Sequence, residues 1–415
     1  MMRPNIMLIG AGGVGTVAVH KCAQNNDCFG DICFASRTRA KCEKIIEDVY
    51  RKNNIKDTSK RLYAKQIDAE NVSDVVALIK DTDASIVLNA GSPFVNMPIM
   101  DACLEAGAAY IDTAVHEDTD VINAEYPWYA EFEWKRKNRF KDRKLTAILS
   151  VGFDPGVVNA YSAYAQKHEF SKIHSIDIMD VNAGDHGRFF ATNFDPETNL
   201  REILEDAGYM ENGDWKTCKR HSRSITFEFP EIGRHKLYLM GHEEIHSLSV
   251  NLDVGTIRFW MGFSDHYLNC FNVLYQIGLL NHKTVRTAEG IDVVPLKVLK
   301  ACLPDPTSLA SDYSGKTCIG NLIRGENKGV EKEIFIYNIC DHETCFEEME
   351  AQAISFTAGV PPAAAAILLA RGDWDVKKMV NVEELDPDPF ISLLDTMGLP
   401  TQIKSVEKSE IEKDK

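Results

Sequence analysis

Short apolar runs alternate with stretches of helical periodicity over the first third of the chain. Residues 6–9, 31–36, Leu62–Ile67, Ser85–Leu88, Tyr110-Ile111 and Thr146–Val151 read as buried strands. Val14–Asn25, Lys41–Lys52, Val72–Lys80 and Pro98–Ala106 read as helices, the third with clear 3.6-residue apolar spacing. Strands and helices alternating at this pace predict βαβ units and a parallel, doubly wound sheet. From about residue 157 the strand candidates lengthen and alternate in polarity: Ser175–Asp180, Ser222–Phe229, Leu237–Gly241 and Thr256–Phe263. Such alternation predicts a mostly antiparallel sheet in a second domain. The small apolar residues 350–371 predict a helix that returns to the first domain. The expected fold class is therefore α/β, with a Rossmann domain over residues 1–156 completed by about 350–401. An α+β substrate-binding and dimerisation domain is expected over 157–349. The charged tail, 402–415, is predicted to be frayed or helical on the surface from Lys404 to Lys415.

Composition narrows the function classes. Apolar residues make up 44% of the 415, enough for real cores. A net charge of −16 disfavours binding to a phosphate backbone and suits cationic small molecules, as it also suits plain solubility. Lys135–Lys144 holds seven basic residues in ten but lacks interleaved stacking aromatics, so it reads as a solvated helix face rather than a nucleic-acid patch. The 11 cysteines form no Cys-x-x-Cys pair, which fits a reducing cytoplasm. Cys340, His342 and Cys345 could in principle hold zinc; buried, idle thiols are the expectation, and no metal is assigned. No run of 18 apolar residues and no signal peptide is present, so no membrane span is expected.

Gly10-Ala11-Gly12-Gly13-Val14-Gly15 follows a strand and opens a helix, the context in which G-x-G-x-x-G binds a dinucleotide. Gly10 permits the turn, Gly12 lets the backbone approach the pyrophosphate, and Gly15 lets helix and strand pack closely. An NAD site usually places an acid at the end of the second strand, about 20 residues on. Here stand Ser36, Arg37 and Thr38, with Lys41 one turn later, all able to donate to a 2′-phosphate. NADP (NADPH) is therefore the expected cofactor. Asp68 ends the third strand near the adenine; Asn89, Ala90, Gly91 and Ser92 follow the fourth, and Asp112 and Thr113 close the fifth, on the nicotinamide side.

Several stretches carry a resemblance. Gly10–Gly15, Ser36-Arg37-Thr38, Asn89–Phe94, Tyr110–Ala114 and Gly152-Phe153-Asp154-Pro155-Gly156 resemble the saccharopine dehydrogenase-like superfamily. Asn182–Gly187, Ala191–Glu197, Arg201-Glu202, Tyr238–Glu244, Phe259-Trp260-Met261, Pro304–Leu309 and Gln352–Ser355 look like its carboxynorspermidine synthase/carboxyspermidine dehydrogenase branch. The resemblance spans about residues 4–401. It implies condensation of L-aspartate 4-semialdehyde with a diamine, 1,3-diaminopropane or putrescine, and reduction of the imine by NADPH. Val115-His116 depart from the Asn-Tyr expected there, and Gly241 and His246 are also unusual; contact of these positions with the diamine would alter its selection.

This chemistry needs a base for the amine, an acid for departing water, an Arg for the carboxylate and acids for the ammonium groups. The candidates are His186, His242 and Asp154 for acid–base work, Arg201 and Arg258 for the carboxylate, and Asp185, Glu202, Glu243 and Glu244 for the amines. The aromatics Phe189, Phe190, Phe194 and Phe259-Trp260 are expected in the core or a dimer contact. A homodimer is the expected assembly. Two other readings stand beside this one: a saccharopine reductase-like amino-acid dehydrogenase, which needs a second cation in the site, and a non-catalytic NADP-binding sensor.

Overall fold

The computed structural model describes residues 3–117, 132–406 and 411–413. The first region runs β1 (Asn5–Ile9), α1 (Gly13–Gln24), β2 (Ile32–Ser36), α2 (Arg39–Arg51), β3 (Leu62–Gln66), α3 (Val72–Thr82), β4 (Ala84–Asn89), α4 (Asn96–Ala106), β5 (Ala109–Asp112), α5 (Lys137–Arg143) and β6 (Ala147–Leu149). The second region follows with α6 (Val157–Tyr164), β7 (Lys172–Asn182), α7 (Pro196–Leu204), β8 (Ala207–Glu211), β9 (Asp214–Cys218), β10 (Ser224–Phe229), β11 (Gly233–Met240), α8 (Glu244–Asn251), β12 (Thr256–Gly262) and α9 (Asp265–Gln276). There follow a small hairpin of β13 (Val285–Arg286) and β14 (Asp292–Val293), then α10 (Pro295–Cys302), β15 (Lys316–Asn327), β16 (Val330–Asp341), α11 (His342–Met349) and α12 (Ala353–Arg371). The chain closes with β17 (Met379–Asn381), α13 (Pro387–Thr396), β18 (Gln402–Ser405) and β19 (Ile411–Lys413).

Seven strands form a parallel sheet in the order β17-β6-β5-β4-β1-β2-β3. The order reverses at β1, between β2 and β4, which opens the crevice where such sheets bind ligands. The last strand of this sheet, β17, comes from the far end of the chain. Helix α12 packs on α1, where Gly359 is required: a Cβ there would lie 2.6 Å from Val17 Cβ. Although long and apolar enough to cross a membrane, α12 is a core helix, with 78% of its most apolar stretch buried.

The second sheet runs β18-β16-β15-β7-β12-β11-β10-β19, with β8 and β9 attached at β12. Its pairs are antiparallel except for β7 with β12. The 12-residue strands β15 and β16 escape the polarity reading because their outer ends are charged. A turn signal joins them, with Lys328 and Gly329 both at positive φ (52° and 80°), the backbone a two-residue hairpin needs. The charged tail is neither frayed nor helical where described: β18 pairs with β16 and β19 with β10, the backbone groups of two sheet edges supplying the partners. Residues 407–410 and 414–415 lie outside the described residues.

Alternation sorts the second sheet into two faces. Ile176 and Ile178 of β7 and Ile257 and Phe259 of β12 join the same core as α1, α6 and α12. Met179, Val181 and Trp260 point the other way, into a core with Phe227 and Phe335. The face toward the first sheet therefore also lines whatever lies between the two.

Candidate active site

A cleft of about 1570 Å³ runs between the C-terminal ends of the parallel strands and the second sheet. At one end lies the glycine loop. A Cβ at Gly10 would fall 2.6 Å from the Ala90 backbone, and one at Gly15 only 1.7 Å from the Gly10 carbonyl oxygen, so these two glycines serve packing. At Gly12 a Cβ would meet nothing within 4 Å, which leaves the open approach a pyrophosphate needs. Helix α1 carries no side-chain cap and no acid in its first turn, so its N-terminal amides and dipole remain for an anion. Gly13 and Val14 line the cleft together with Ser36, Arg37, Thr38, Lys41 and Asp68, and with Ala90, Gly91, Ser92 and Thr113. These residues fit NADP. Helix α12 closes the nucleotide loop from the other side: Ser355 Oγ would be 2.2 Å from a Cβ at Gly13.

Asn89 and Asp112 do not reach the cleft. Asn89 holds its own loop, accepting from Gly91 N (3.0 Å) and donating to Asn96 Oδ1 (2.8 Å). Asp112 is 1% exposed and accepts from Ser150 N at 2.5 Å. Both shape the strand ends from beneath, and Gly15 does the same through packing.

The other end of the cleft is crowded with carboxyls. His242 stacks on Phe259, ring centroids 3.9 Å apart. Its Nδ1 contacts Glu244, and its Nε2 lies 3.4 Å from Glu202 Oε1. Burial disfavours charge on this ring, but Glu244 and Glu202 outweigh it and raise its pKa well above 6.5. His242 is thus an imidazolium. The contrast is His246, one helical turn along, which burial and the charge of His242 push down to about 3. Asp154 and Asp180 meet beside His242. Burial, then repulsion by Asp180, raises Asp154 well above the carboxylate range, so it keeps a proton and donates to Asp180. Burial pushes Asp180 to about 7. Glu243 accepts from Val115 N at 2.7 Å, and burial raises its pKa well above normal.

Helix α7 supplies a further set. Asp195 caps it and Pro196 starts it, and Thr198, Arg201, Glu202 and Glu205 fall on one side at i, i+3, i+4 and i+7. Arg201 Nε donates to Glu117 Oε2 at 3.2 Å. Burial, then Glu117, pushes Glu205 to about 7; burial, partly offset by Arg201, does the same to Glu117.

The expected residues thus divide. Asp154, Glu202, His242 and Glu243 converge, while Glu244 is fully buried behind His242 and acts through it. Asp185 and His186 line the outer rim. His186 is edge-on to Tyr313 and accepts from Arg188 N at 3.0 Å, and burial lowers its pKa, so it is a neutral imidazole. Arg201 faces the cleft from behind Glu117. Arg258 does not belong to the site: strand parity turns Phe259 toward the first sheet, where it is buried behind His242, and Arg258 to the opposite face, where it grips buried Asp177 at 2.7 and 3.0 Å. Trp260 joins it there as a donor to Asp177 (2.8 Å). Phe189, expected in the core or a dimer contact, is not in the core: it is 79% exposed at the rim. Phe190 lines the cleft, stacked on Tyr267 (5.0 Å). His116 and Gly241 line the cleft too, while His246 and Val115 are buried outside it. The side chains of Cys340, His342 and Cys345 are engaged with protein groups: the thiols touch at 3.3 Å, and His342 meets Asn182 and Ala353 N, each at 3.1 Å. Sequence reasoning missed Glu117, Asp180 and Glu205; the end of an alternating strand was a signal for Asp180, and the i+4 step from Arg201 one for Glu205.

A parallel sheet with an NADP-fitting glycine loop, facing a second sheet across a cleft of titratable groups, defines a two-domain NADP-dependent oxidoreductase. Residues 6–148 match the saccharopine dehydrogenase NADP binding domain and residues 152–399 the saccharopine dehydrogenase C-terminal domain; the chain belongs to the saccharopine dehydrogenase family. It is 50% identical to carboxynorspermidine synthase of Vibrio alginolyticus, over 98% of both chains. It is 45% identical to carboxyaminopropylagmatine dehydrogenase of Synechocystis, over 95% of this chain and 96% of that one. The apo saccharopine dehydrogenase (L-Glu forming) of Saccharomyces cerevisiae shares the fold, with a TM-score of 0.70 at 13% identity, covering 97% of this chain and all of that one.

Proposed function

We propose that this chain catalyses the NADPH-dependent reductive condensation of L-aspartate 4-semialdehyde with a diamine, 1,3-diaminopropane or putrescine, in polyamine biosynthesis. The observation that carries this reading is the excess of carboxyls at the inner end of the cleft: Glu117, Asp154, Asp180, Glu202, Glu205 and Glu243, against Arg201 and His242. A site so acidic favours a substrate with two ammonium groups. The relatives agree with this reading, being a carboxynorspermidine synthase and a carboxyaminopropylagmatine dehydrogenase.

The amine nitrogen adds to the aldehyde carbon, water leaves, and an imine forms whose carbon is then reduced to the secondary amine. The entering ammonium must first lose a proton, and Asp180, titrating at about 7, is placed to accept it. The departing hydroxyl needs a proton, and Asp154 holds one. His242, kept cationic by Glu244 and Glu202, offers a second donor and balances the carboxylates. His186, neutral at the rim, is a further base. NADPH, when held by the glycine loop, would supply the hydride. The same reading takes the protein to be a homodimer, which light scattering would test.

The experiment follows nicotinamide absorbance with NADPH, the semialdehyde and each of diaminopropane, putrescine and agmatine. Oxidation that requires both aldehyde and amine is the expected result. NADPH binding without oxidation for any amine would refute the proposal.

A further inference from the structure

The carboxyls of the cleft form two groups. Asp154 and Asp180 gather at His242, beside the Gly152–Pro155 turn. Glu117 and Glu205 gather at Arg201, where α7 crosses the loop that leaves β5. Arg201 is only 2% exposed while Glu117 is 21% exposed, so the cleft meets the carboxylate and the guanidinium stands behind it. Glu202 lies between the groups, its Oε1 3.4 Å from His242 Nε2. Tyr267 and Phe94 add ring surface: the guanidinium carbon of Arg201 is 6.0 Å from the Phe94 centroid, and Tyr267 OH is fixed on Asn199 at 3.0 Å. One arginine faces both Glu117 and Glu205. Burial holds Glu117 and Glu205 partly protonated, at about 7 each. A cation arriving between them brings positive charge and hydrogen-bond donors together.

We propose that Glu117 and Glu205, backed by Arg201, seat the distal ammonium of the amine substrate and make the cleft selective for amines with a second positive charge. This inference rests on the proposed condensation reaction. It assigns the reacting nitrogen to the Asp154–Asp180 end and the distal one to the Arg201 end. Arg201 is then the internal counter-ion of Glu117 rather than the receptor for the semialdehyde carboxylate.

The test compares 1,3-diaminopropane with propylamine, which has the same chain and one charge fewer. The quantity read is the ratio of their kcat/KM values, at saturating NADPH and semialdehyde, for the wild type, Glu205→Gln and Glu117→Gln. Glu205→Gln is the cleaner variant, because Glu117→Gln also removes the partner of buried Arg201. The ratio is expected to fall roughly tenfold to hundredfold in Glu205→Gln, the range for one hydrogen bond to a charged group. Calorimetric titration of diaminopropane into the NADPH complex should weaken by a similar factor, independently of turnover. Equal losses for both amines, with the ratio unmoved, would mean a structural role and overturn the proposal. So would a variant that keeps the amine ratio but loses discrimination between aspartate semialdehyde and succinate semialdehyde, which would assign the seat to the α-ammonium. Failure of the wild type to use any amine would instead defeat the proposed reaction itself.

Discussion

Replacing Arg258 by Met separates the two faces of β12. Asp177 is 3% exposed and accepts four hydrogen bonds: two from Arg258 (2.7 and 3.0 Å), one from Arg324 (2.6 Å) and one from Trp260 (2.8 Å). Burial alone would raise its pKa, but Arg258, Arg324 and Trp260 outweigh burial and hold it below the usual carboxylate value. Each hydrogen bond to a charged group contributes about 1.5–3 kcal/mol. A wholly orphaned buried charge costs about 3–5 kcal/mol. Since Arg324 and Trp260 remain, Arg258→Met should cost about 2–4 kcal/mol of unfolding free energy, read from urea denaturation at pH 7. The sign with pH follows from the depressed pKa. The contribution is present above the unfolded-state value of about 3.9 and is lost as pH falls through the lower folded-state value. The gap between wild type and variant should therefore narrow in acid. The folded variant should keep its kcat/KM for semialdehyde within about twofold, because on this reasoning Arg258 never touches substrate. A loss of tenfold or more in that constant, with unchanged denaturation, would refute the parity argument and restore Arg258 as a carboxylate ligand.

Two glycines of the nucleotide loop should fail in different ways. Gly15→Ala, whose Cβ would sit 1.7 Å from the Gly10 carbonyl oxygen, should yield little folded protein, whereas Gly12→Ala should fold with an unchanged circular dichroism spectrum and lose NADPH affinity in fluorescence titration. Acidification should weaken diamine selection: Glu117 and Glu205 titrate at about 7 and are neutral below it, while an alkylammonium with a pKa near that of lysine, about 10.4, stays charged. The diaminopropane-to-propylamine ratio of kcat/KM should accordingly be smaller at pH 6 than at pH 8. A ratio constant across that range would count against the seat, because protonation at the reacting end affects both amines alike.

Much of the nucleotide half was legible in the residues alone. A glycine loop, the strand before it and the helix after it are contiguous, and the backbone conformation that cradles a phosphate is a local property of those residues. The absence of an acid after Ser36 selected the cofactor by the same local logic. The strand–helix alternation specified a parallel sheet, and the small apolar run at 350–371 announced a helix that returns, although not that Ser355 would close over Gly13. The tail misled because its charges say nothing about the sheet edges waiting for it.

The acidic cleft was decided by tertiary structure. Glu117 and Arg201 are 84 positions apart, and Asp154, Asp180 and His242 come from a turn, a strand and the end of another strand. Their pKa values depend on burial and on one another, and neither exists until α7 and the second sheet pack over the strand ends. Composition reported an excess of acid, but most acids in a chain face water. Arg258 makes the point by itself: it is a plausible carboxylate ligand in sequence, and only the packing of β12 against the first sheet turns Phe259 toward His242 and Arg258 away, onto Asp177. Local backbone chemistry can be read in order along the chain; a binding charge pattern is a sum over distances, and the fold sets the distances.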